Sequence, residues 1–208
     1  AAILADHEIN TVRRDLGENP ATHIWLWGQG TMPRLERFAE RFGVAGAAIT
    51  AVDLVRGLAR LIGWDVVDVP GATGYVDTNY TGKAEAAVEA LGRRDLVFVH
   101  VEATDEAGHN ASPSDKVFAL EQIDTHIAAP VLRRLQAEGE GGWRLLVLPD
   151  HPTPCTVRTH TRDAVPFVLA GARVEGVIEP GPGGFCEETA AQSDLHIERG
   201  CELMEFFL

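Results

Sequence analysis

Leu96-Val-Phe-Val-His-Val101 is nearly all apolar, as expected of a strand that is buried on both faces of a sheet. The chain continues as Glu102-Ala-Thr-Asp105-Glu-Ala-Gly-His109, which places metal-ligand residue types directly after this strand. Further strand-like runs alternate along the chain with segments whose apolar residues have helical spacing. This alternation predicts an α/β fold with a mostly parallel sheet and helices on both faces.

The other predicted strands and helices follow outward from this stretch. We predict strands at 23–27, 45–50, 65–69, 143–148 and 166–170, and helices at 33–42, 52–62, 81–91 and 113–135. Between them, Gly71-Ala-Thr-Gly74 is interpreted as a structural turn that Asp77 and Asn79 stabilise through local hydrogen bonds.

Composition excludes several classes of function. The 208 residues are 45% hydrophobic and 24% charged, and the net charge is −13, which argues against nucleic-acid binding. Three widely spaced cysteines without a CxxC pair match neither a disulfide framework nor a zinc ribbon. With no apolar run long enough to span a bilayer and no leader-like segment, we expect a cytoplasmic protein.

The two ends of the sequence differ in character. The chain begins at Ala1 rather than at Met, which predicts a cut inside a longer chain, whereas the helix-like stretch Leu203–Leu208 is typical of a natural end. We expect residues 1–17 to be the remnant of a separate subdomain or connection and residues 18–208 to form the α/β domain.

Candidate metal ligands follow the ends of two predicted strands. Asp105 and His109 are four residues apart, so one helical turn brings both to one side, and Asp150-His151 follows the strand at 143–148. His160 lies nine residues later, before the strand at 166–170. In open α/β sheets ligands bind beyond the carboxyl ends of the strands, so these loops are expected to converge.

The types of ligand favour particular ions. Carboxylates and imidazoles suit Mn²⁺ and Zn²⁺. Because adjacent residues in an extended segment point in opposite directions, Asp150 and His151 fit two flanking metals better than one, unless the segment curls. We expect Gly108 to permit a backbone conformation that a Cβ disfavours. A structural role is assigned to the remaining histidines, which are His7, His23, His100, His126 and His196.

Several stretches of the chain resemble the cofactor-independent phosphoglycerate mutases of the alkaline phosphatase superfamily, most closely the archaeal type. The matching stretches are Val99–His109, Leu148–His151, His160 with Asp163–Phe167, Asn19–Thr22, Trp25–Gly30, Gly71–Tyr80 with Lys83, and Phe185–Leu208. The resemblance implies an alkaline phosphatase-like domain in partial form, corresponding to the C-terminal portion of a family member.

The resemblance also implies a chemistry. Asp105, His109 and His160 are similar to the ligands of one metal, and Asp150 and His151 to ligands of a second. An Asp and a nucleophilic Ser, expected upstream of this chain, would complete the second site. The implied reaction interconverts 3-phosphoglycerate and 2-phosphoglycerate through a phosphoserine, with Mn²⁺ favoured and Zn²⁺, Mg²⁺ or Co²⁺ as alternatives. By itself the chain is expected to lack turnover.

Substrate contacts are less well marked in the sequence. Arg13 and Arg14 are candidates to bind the carboxylate and phosphate of the substrate, with a solvated basic pair as the alternative. We interpret Lys83 as a helix-surface lysine, with a phosphate contact as the alternative. The partners implied are a small phosphorylated carboxylic acid and the missing N-terminal half of the same protein.

Two other functions remain open from the sequence. One is a metal-dependent phosphatase or sulfatase-like hydrolase of the same superfamily, which would keep the same ligands. The other is a non-catalytic remnant domain, which would be expected to lose some of them.

Overall fold

The computed structural model describes residues 2–139, 142–172, 174 and 184–208. The chain divides into two compact units, Ala1–Arg34 and Leu35–Leu208. Within the described residues, every helix is too short or too polar to cross a membrane.

The first unit is helical at its start and irregular afterwards. Helices α1 (Ala2–Ala5) and α2 (Glu8–Asp15) are followed by extended chain. Asn10, which is buried, donates to the carbonyls of Leu4 at 2.6 Å and Ala21 at 2.8 Å, and accepts from the Ala21 amide. This one side chain therefore ties the helical and irregular parts of the unit together.

The prediction of a strand at 23–27 is wrong, because the structure has no strand in this segment. No described strand pairs with this segment, and Ile24, Trp25, Leu26 and Trp27 are each more than three-quarters exposed. A strand needs a hydrogen-bonded neighbour to form a ladder, so an apolar pattern without one leaves extended chain.

The second unit opens with a short helix and a parallel sheet. Helix α3 (Phe38–Phe42) ends at Gly43, which has a φ of 69° and closes the helix in the left-handed conformation. Strand β1 (Gly46–Ile49) pairs in parallel with β2 (Asp65–Val67) on one side and β3 (Leu96–Val99) on the other. The strand order β2-β1-β3 puts the most buried strand in the centre.

Two helices connect these strands and build the core. Helices α4 (Asp53–Leu61) and α5 (Tyr80–Leu91) lie between β1 and β2 and between β2 and β3 in the chain. Small residues of α5, including Ala84 and Ala87, pack in the same cluster as Ile49 of β1. The small side chains let the helix approach the sheet closely. The predicted α/β fold with parallel strands is confirmed in this part.

A helical run then leads away from β3. Helix α6 (Ala103–His109) is followed by α7 (Pro113–Ile123), a π-helical turn (Asp124–Ala128) and α8 (Ala129–Gln136). The long helix predicted at 113–135 is thus confirmed, with a π-helical turn inside it. This turn precedes Pro130, whose missing N–H and bulky ring disturb the regular hydrogen-bond ladder of an α-helix.

The last two strands differ from the prediction. Strands β4 (Arg144–Val147) and β5 (Val168–Gly171) pair antiparallel and form a separate two-stranded sheet among the described residues. A parallel connection normally needs a crossover helix, whereas residues 148–167 contain neither helix nor strand. The prediction of a single mostly parallel sheet is therefore wrong for the described residues, in which the ligand loops are divided between two sheets.

The chain ends with short helical segments. These are α9 (Glu187–Ala190), a 3₁₀ turn (Gly200–Glu202) and α10 (Leu203–Phe207). The Arg144 guanidinium donates to the carbonyl of Phe207 at 2.6 Å and so attaches α10 to β4.

Candidate metal centre

Helix α6 begins four residues after β3 and positions the first two candidate ligands. Asp105 and His109 lie one turn apart on it, and the Asp105 Oδ2 to His109 Nε2 distance is 3.2 Å. The single-turn arrangement predicted from their spacing is confirmed. Gly108 has no positive φ, so the expected reason for this glycine is wrong. Instead, a Cβ there would overlap the carbonyl oxygen of Thr153.

His160 reaches the same point from the connection between β4 and β5. Its Nε2 lies 3.1 Å from His109 Nε2 and 3.3 Å from Asp105 Oδ1. The ligand atoms of Asp105, His109 and His160 all lie within 4.8 Å of one another. Ligand atoms that surround one Zn²⁺-sized ion tetrahedrally at about 2.0–2.2 Å are about 3.3–3.6 Å apart. The spacing of these three groups therefore fits a shared divalent cation.

A backbone carbonyl orients the His109 ring. His109 Nδ1 lies 3.0 Å from the carbonyl oxygen of Arg158, which can only accept a hydrogen bond. The proton of a neutral His109 therefore belongs on Nδ1, which leaves the Nε2 lone pair facing Asp105 and His160. Such an outer hydrogen bond is the usual way in which proteins orient a metal-binding imidazole. Arg158 itself has a φ of 61°, an uncommon conformation for a residue other than glycine.

The remaining two candidates lie beside these three. After β4 the chain bends at Asp150 and His151, and the Asp150 Oδ2 to His151 Nε2 distance is 3.4 Å. The exception foreseen for a curled segment therefore applies, and the two side chains meet. The ring centroids of His151 and His160 are 3.7 Å apart, and His151 Nδ1 is 3.9 Å from Asp105 Oδ1.

Three of the predicted ligands thus form one compact group, with His151 beside it and Asp150 beside His151, although two sheets supply them. Asp105 and His109 follow the parallel sheet, whereas Asp150, His151 and His160 belong to the connection within the antiparallel pair. Asp150 is three-quarters exposed and Asp105 is largely buried. The donor set of carboxylates and imidazoles fits Mn²⁺ or Zn²⁺. The assignment of these residues as ligands remains a prediction.

Thr153 belongs to this centre and was missed in the sequence. Its hydroxyl donates to Asp105 Oδ1 and lies 3.3 Å from His151 Nδ1, and only 4% of the residue is exposed. A threonine is not an expected ligand for these ions, so composition gives no signal. Its position two residues after His151, between Pro152 and Pro154, is the one available hint.

A second cluster of polar side chains lies at the end of β3. His100 Nε2 is 3.3 Å from Glu102, and its Nδ1 is 3.1 Å from the Thr50 hydroxyl at the end of β1. Burial raises the pKa of Glu102, and the nearby carboxylates of Asp105 and Asp150 add to the effect. Burial also lowers the pKa of His100.

The burial of Lys83 contradicts its interpretation as a helix-surface lysine. It is completely buried on α5, and its Nζ donates to the carbonyl of His100 at 2.9 Å. Burial lowers the pKa of Lys83, while Glu102 acts in the opposite direction. The position lies on the Ala-rich face of α5 that packs toward the sheet, so the surrounding small residues leave room for the long side chain.

The loop before α5 has the structural role predicted for it. Asp77 accepts a hydrogen bond from the Thr73 hydroxyl at 2.9 Å, and Asn79 donates to the carbonyl of Pro70 at 2.9 Å. Asn79 also accepts from the Gly82 amide and caps α5.

Arg13 and Arg14 lie on α2 in the first unit. Arg13 pairs with Glu18 at 3.3 Å and donates to the carbonyl of Asn19 at 2.7 Å. Arg14 donates to the carbonyl of Ala5 at 3.3 Å. These contacts hold the two guanidinium groups within their own unit, and their role in substrate binding remains a prediction.

Comparison with known proteins defines the class. A family model described as the metalloenzyme superfamily matches residues 6–199, and the chain therefore belongs to this superfamily.

Individual relatives narrow the class further. The chain is 52% identical over 202 residues to the 2,3-bisphosphoglycerate-independent phosphoglycerate mutase of Methanosarcina mazei, a match that covers 97% of this chain and 50% of that protein. A solved structure from Pyrococcus horikoshii matches with a TM-score of 0.83 at 33% identity and covers 99% of this chain and 52% of that one.

A third match carries the same description. The cofactor-independent phosphoglycerate mutase structure from Thermoplasma acidophilum matches with a TM-score of 0.58 at 26% identity, over 99% of this chain and 47% of that one. The chain spans about half the length of the curated relatives it matches. The resemblance inferred from the sequence is confirmed.

Proposed function

We propose that this chain is the metal-binding half of an enzyme that interconverts 3-phosphoglycerate and 2-phosphoglycerate by phosphoryl transfer. The observation that carries the proposal is the convergence of Asp105, His109 and His160 within 4.8 Å, in a chain whose relatives bear the name of phosphoglycerate mutase. The reaction would take place in the cytoplasm, as a step of glycolysis and gluconeogenesis.

Two divalent ions are part of the proposal. Asp105, His109 and His160 would hold one, and Asp150 with His151 would contribute to a second, with Mn²⁺ favoured. Bound ions would supply positive charge that stabilises the phosphoryl oxygens and lowers the pKa of an attacking hydroxyl. The chain's own residues contribute orientation, because the Arg158 carbonyl directs His109 and the Thr153 hydroxyl directs Asp105.

The nucleophile is proposed to lie in the part of the relatives that this chain does not span. The sequence has three serines, and all three have local structural contacts. Ser112 caps α7 and contacts the Ser114 hydroxyl, and Ser193 accepts a hydrogen bond from the Leu195 amide. Because none of these contacts involves the candidate ligands, we propose that a serine and an aspartate of the other half complete the second site.

Arg13 and Arg14 are proposed to bind substrate when the whole enzyme is assembled. Both carry guanidinium groups that suit bidentate contacts with carboxylate and phosphate. The Arg13 side chain remains 41% exposed despite its pair with Glu18, so it could exchange an exposed ion pair of small energy for a substrate contact.

Metal binding by the chain itself is the first test. Titration calorimetry with Mn²⁺ and Zn²⁺ should show binding to the native chain and a loss of at least about tenfold in affinity for Asp105→Asn, which removes a charged ligand. Glu121→Gln is the matched control, because it removes one exposed acidic group of α7 outside the cluster. Equal affinity of the two variants would contradict the assignment.

Activity is the second test. The chain would be combined with a polypeptide that covers the other half of the Methanosarcina mazei relative, and the conversion of 3-phosphoglycerate to 2-phosphoglycerate would be followed through a coupled enolase reaction. We expect turnover from the mixture and none from the chain alone. Release of inorganic phosphate in place of isomer exchange would indicate the hydrolase.

A further inference from the structure

Thr153 lies between the two groups of candidate ligands and contacts both. Its hydroxyl donates to Asp105 Oδ1, and the same oxygen lies 3.3 Å from His151 Nδ1. The direct distance between His151 Nδ1 and Asp105 Oδ1 is 3.9 Å, too long for a hydrogen bond. The hydroxyl therefore bridges two side chains that do not bond to each other.

The direction of the hydrogen bonds follows from the number of protons. A hydroxyl carries one proton and two acceptor lone pairs, and a carboxylate only accepts. Since the Thr153 proton goes to Asp105, the contact with His151 requires a proton on His151 Nδ1. In neutral His151 the Nε2 then carries the free lone pair, so its 3.4 Å contact with the Asp150 carboxylate is not a hydrogen bond in this tautomer.

We propose that Thr153 is a positioning residue that sets the carboxylate of Asp105 and the tautomer of His151 together, and so couples the two halves of the metal centre. The inference rests on the proposed function of this centre. It adds that neither ligand group is oriented independently of the other.

The surroundings of Thr153 hold it in place for this role. The Lys116 ammonium group of α7 donates to its carbonyl at 2.6 Å, and the absence of a side chain at Gly108 lets the same carbonyl approach α6. The threonine is thus fixed through its backbone to both helices, while its hydroxyl remains directed at the ligands.

Two substitutions separate the hydroxyl from the shape of the side chain. Thr153→Val keeps the volume and removes the hydroxyl, and Thr153→Ser keeps the hydroxyl. Loss of an outer-shell hydrogen bond typically weakens metal binding about 10–100-fold. We expect that loss of Mn²⁺ or Zn²⁺ affinity for Thr153→Val and affinity within about threefold of native for Thr153→Ser. Thr156→Val, at an exposed position of the same loop, is the control.

The tautomer of His151 gives a readout that packing alone would not change. Nitrogen NMR of the metal-free chain with neutral His151 should show the proton on Nδ1 in the native chain and in Thr153→Ser. In Thr153→Val we expect a mixture of the Nδ1-H and Nε2-H forms. Thermal unfolding of the metal-free variants shows whether each is folded.

The outcomes distinguish this inference from the function on which it rests. Absence of metal binding by the native chain would contradict the proposed metal centre, whereas the NMR result would still decide the role of Thr153. An unchanged His151 tautomer in folded Thr153→Val would overturn the inference. Equal loss of affinity in the valine and serine variants would also overturn it, because packing would then be responsible.

Discussion

Replacement of Gly108 by alanine should damage the metal centre although alanine is the better helix former. Gly108 lies on α6 between the two ligands Asp105 and His109. A Cβ at this position would overlap the carbonyl oxygen of Thr153 and would lie only 2.9 Å from its methyl carbon. Carbon atoms prefer separations of about 3.5–4.0 Å, so the helix and the loop would have to separate by about 1 Å.

The magnitude follows from two opposing effects. Alanine in place of glycine inside a helix is worth about 0.5–1 kcal/mol in stability. Overpacking of a well-packed site costs about 1–3 kcal/mol, and here the obstacle is main chain that cannot rotate away. We therefore expect Gly108→Ala to lower the free energy of unfolding by about 1–2 kcal/mol net. Gly57 of α4 is the matched control, because a Cβ there would meet no atom within 4 Å.

Chemical denaturation of the metal-free variants, followed by titration calorimetry with Mn²⁺, measures both consequences. Gly57→Ala should be as stable as the native chain or more stable, with unchanged metal affinity. Gly108→Ala should be less stable and should bind metal at least about tenfold more weakly, since α6 carries two ligands away from His160. If both variants gained stability and bound metal equally, the close approach of α6 to Thr153 would not matter and the reasoning would be refuted.

Two further substitutions test contacts that hold helix α5 in place near the site. Because burial lowers the pKa of Lys83, the folded chain binds the proton of the ammonium group less tightly than the unfolded chain does. The free energy of unfolding therefore rises with pH between the folded pKa and 10.5, since the unfolded chain binds more protons over that range. The native chain should therefore gain free energy of unfolding relative to Lys83→Met over that range in denaturant titrations, and a constant difference would contradict the burial effect. Asn79→Ala should cost about 1–2 kcal/mol in thermal or chemical unfolding, because it removes the α5 cap and the bond to the Pro70 carbonyl. Thr81→Ala is its control and should cost less than half as much.

Local sequence patterns predicted the elements that carry the ligands. The apolar run at 96–101 identified β3, and the spacing of Asp105 and His109 placed both on one turn of α6. The helical prediction succeeds because residues four apart lie on one side of any α-helix. The prediction of β3 succeeds in its position, although the strand is only partly buried and Phe98 is exposed. The residue types that bind metals are also few, so Asp150, His151 and His160 could be selected before their positions were known.

Features that depend on contacts distant in sequence could not be predicted in this way. Lys83 has the composition of a surface residue and becomes buried only because α5 packs toward the sheet at that position. Thr153 acts through a single hydroxyl, and no periodicity marks it. The segment at 23–27 shows the opposite error, since its pattern is that of a strand but the described residues provide no ladder partner.

The error about the sheet matters most for the chemistry. If all ligand loops followed strands of one parallel sheet, the backbone ladder alone would align them. Instead, Asp105 and His109 depend on β3, and His160 depends on the connection of a separate antiparallel pair. The alignment of these two parts therefore depends on other contacts. Among the described residues these include the Thr153 hydroxyl with Asp105, the Lys116 ammonium with the Thr153 carbonyl, and His109 with the Arg158 carbonyl. Trp143 and Leu145 also pack against the core beside the parallel sheet. A metal ion shared by Asp105, His109 and His160 would add a further bond across the same junction, so metal binding and the packing of the two sheets should reinforce each other.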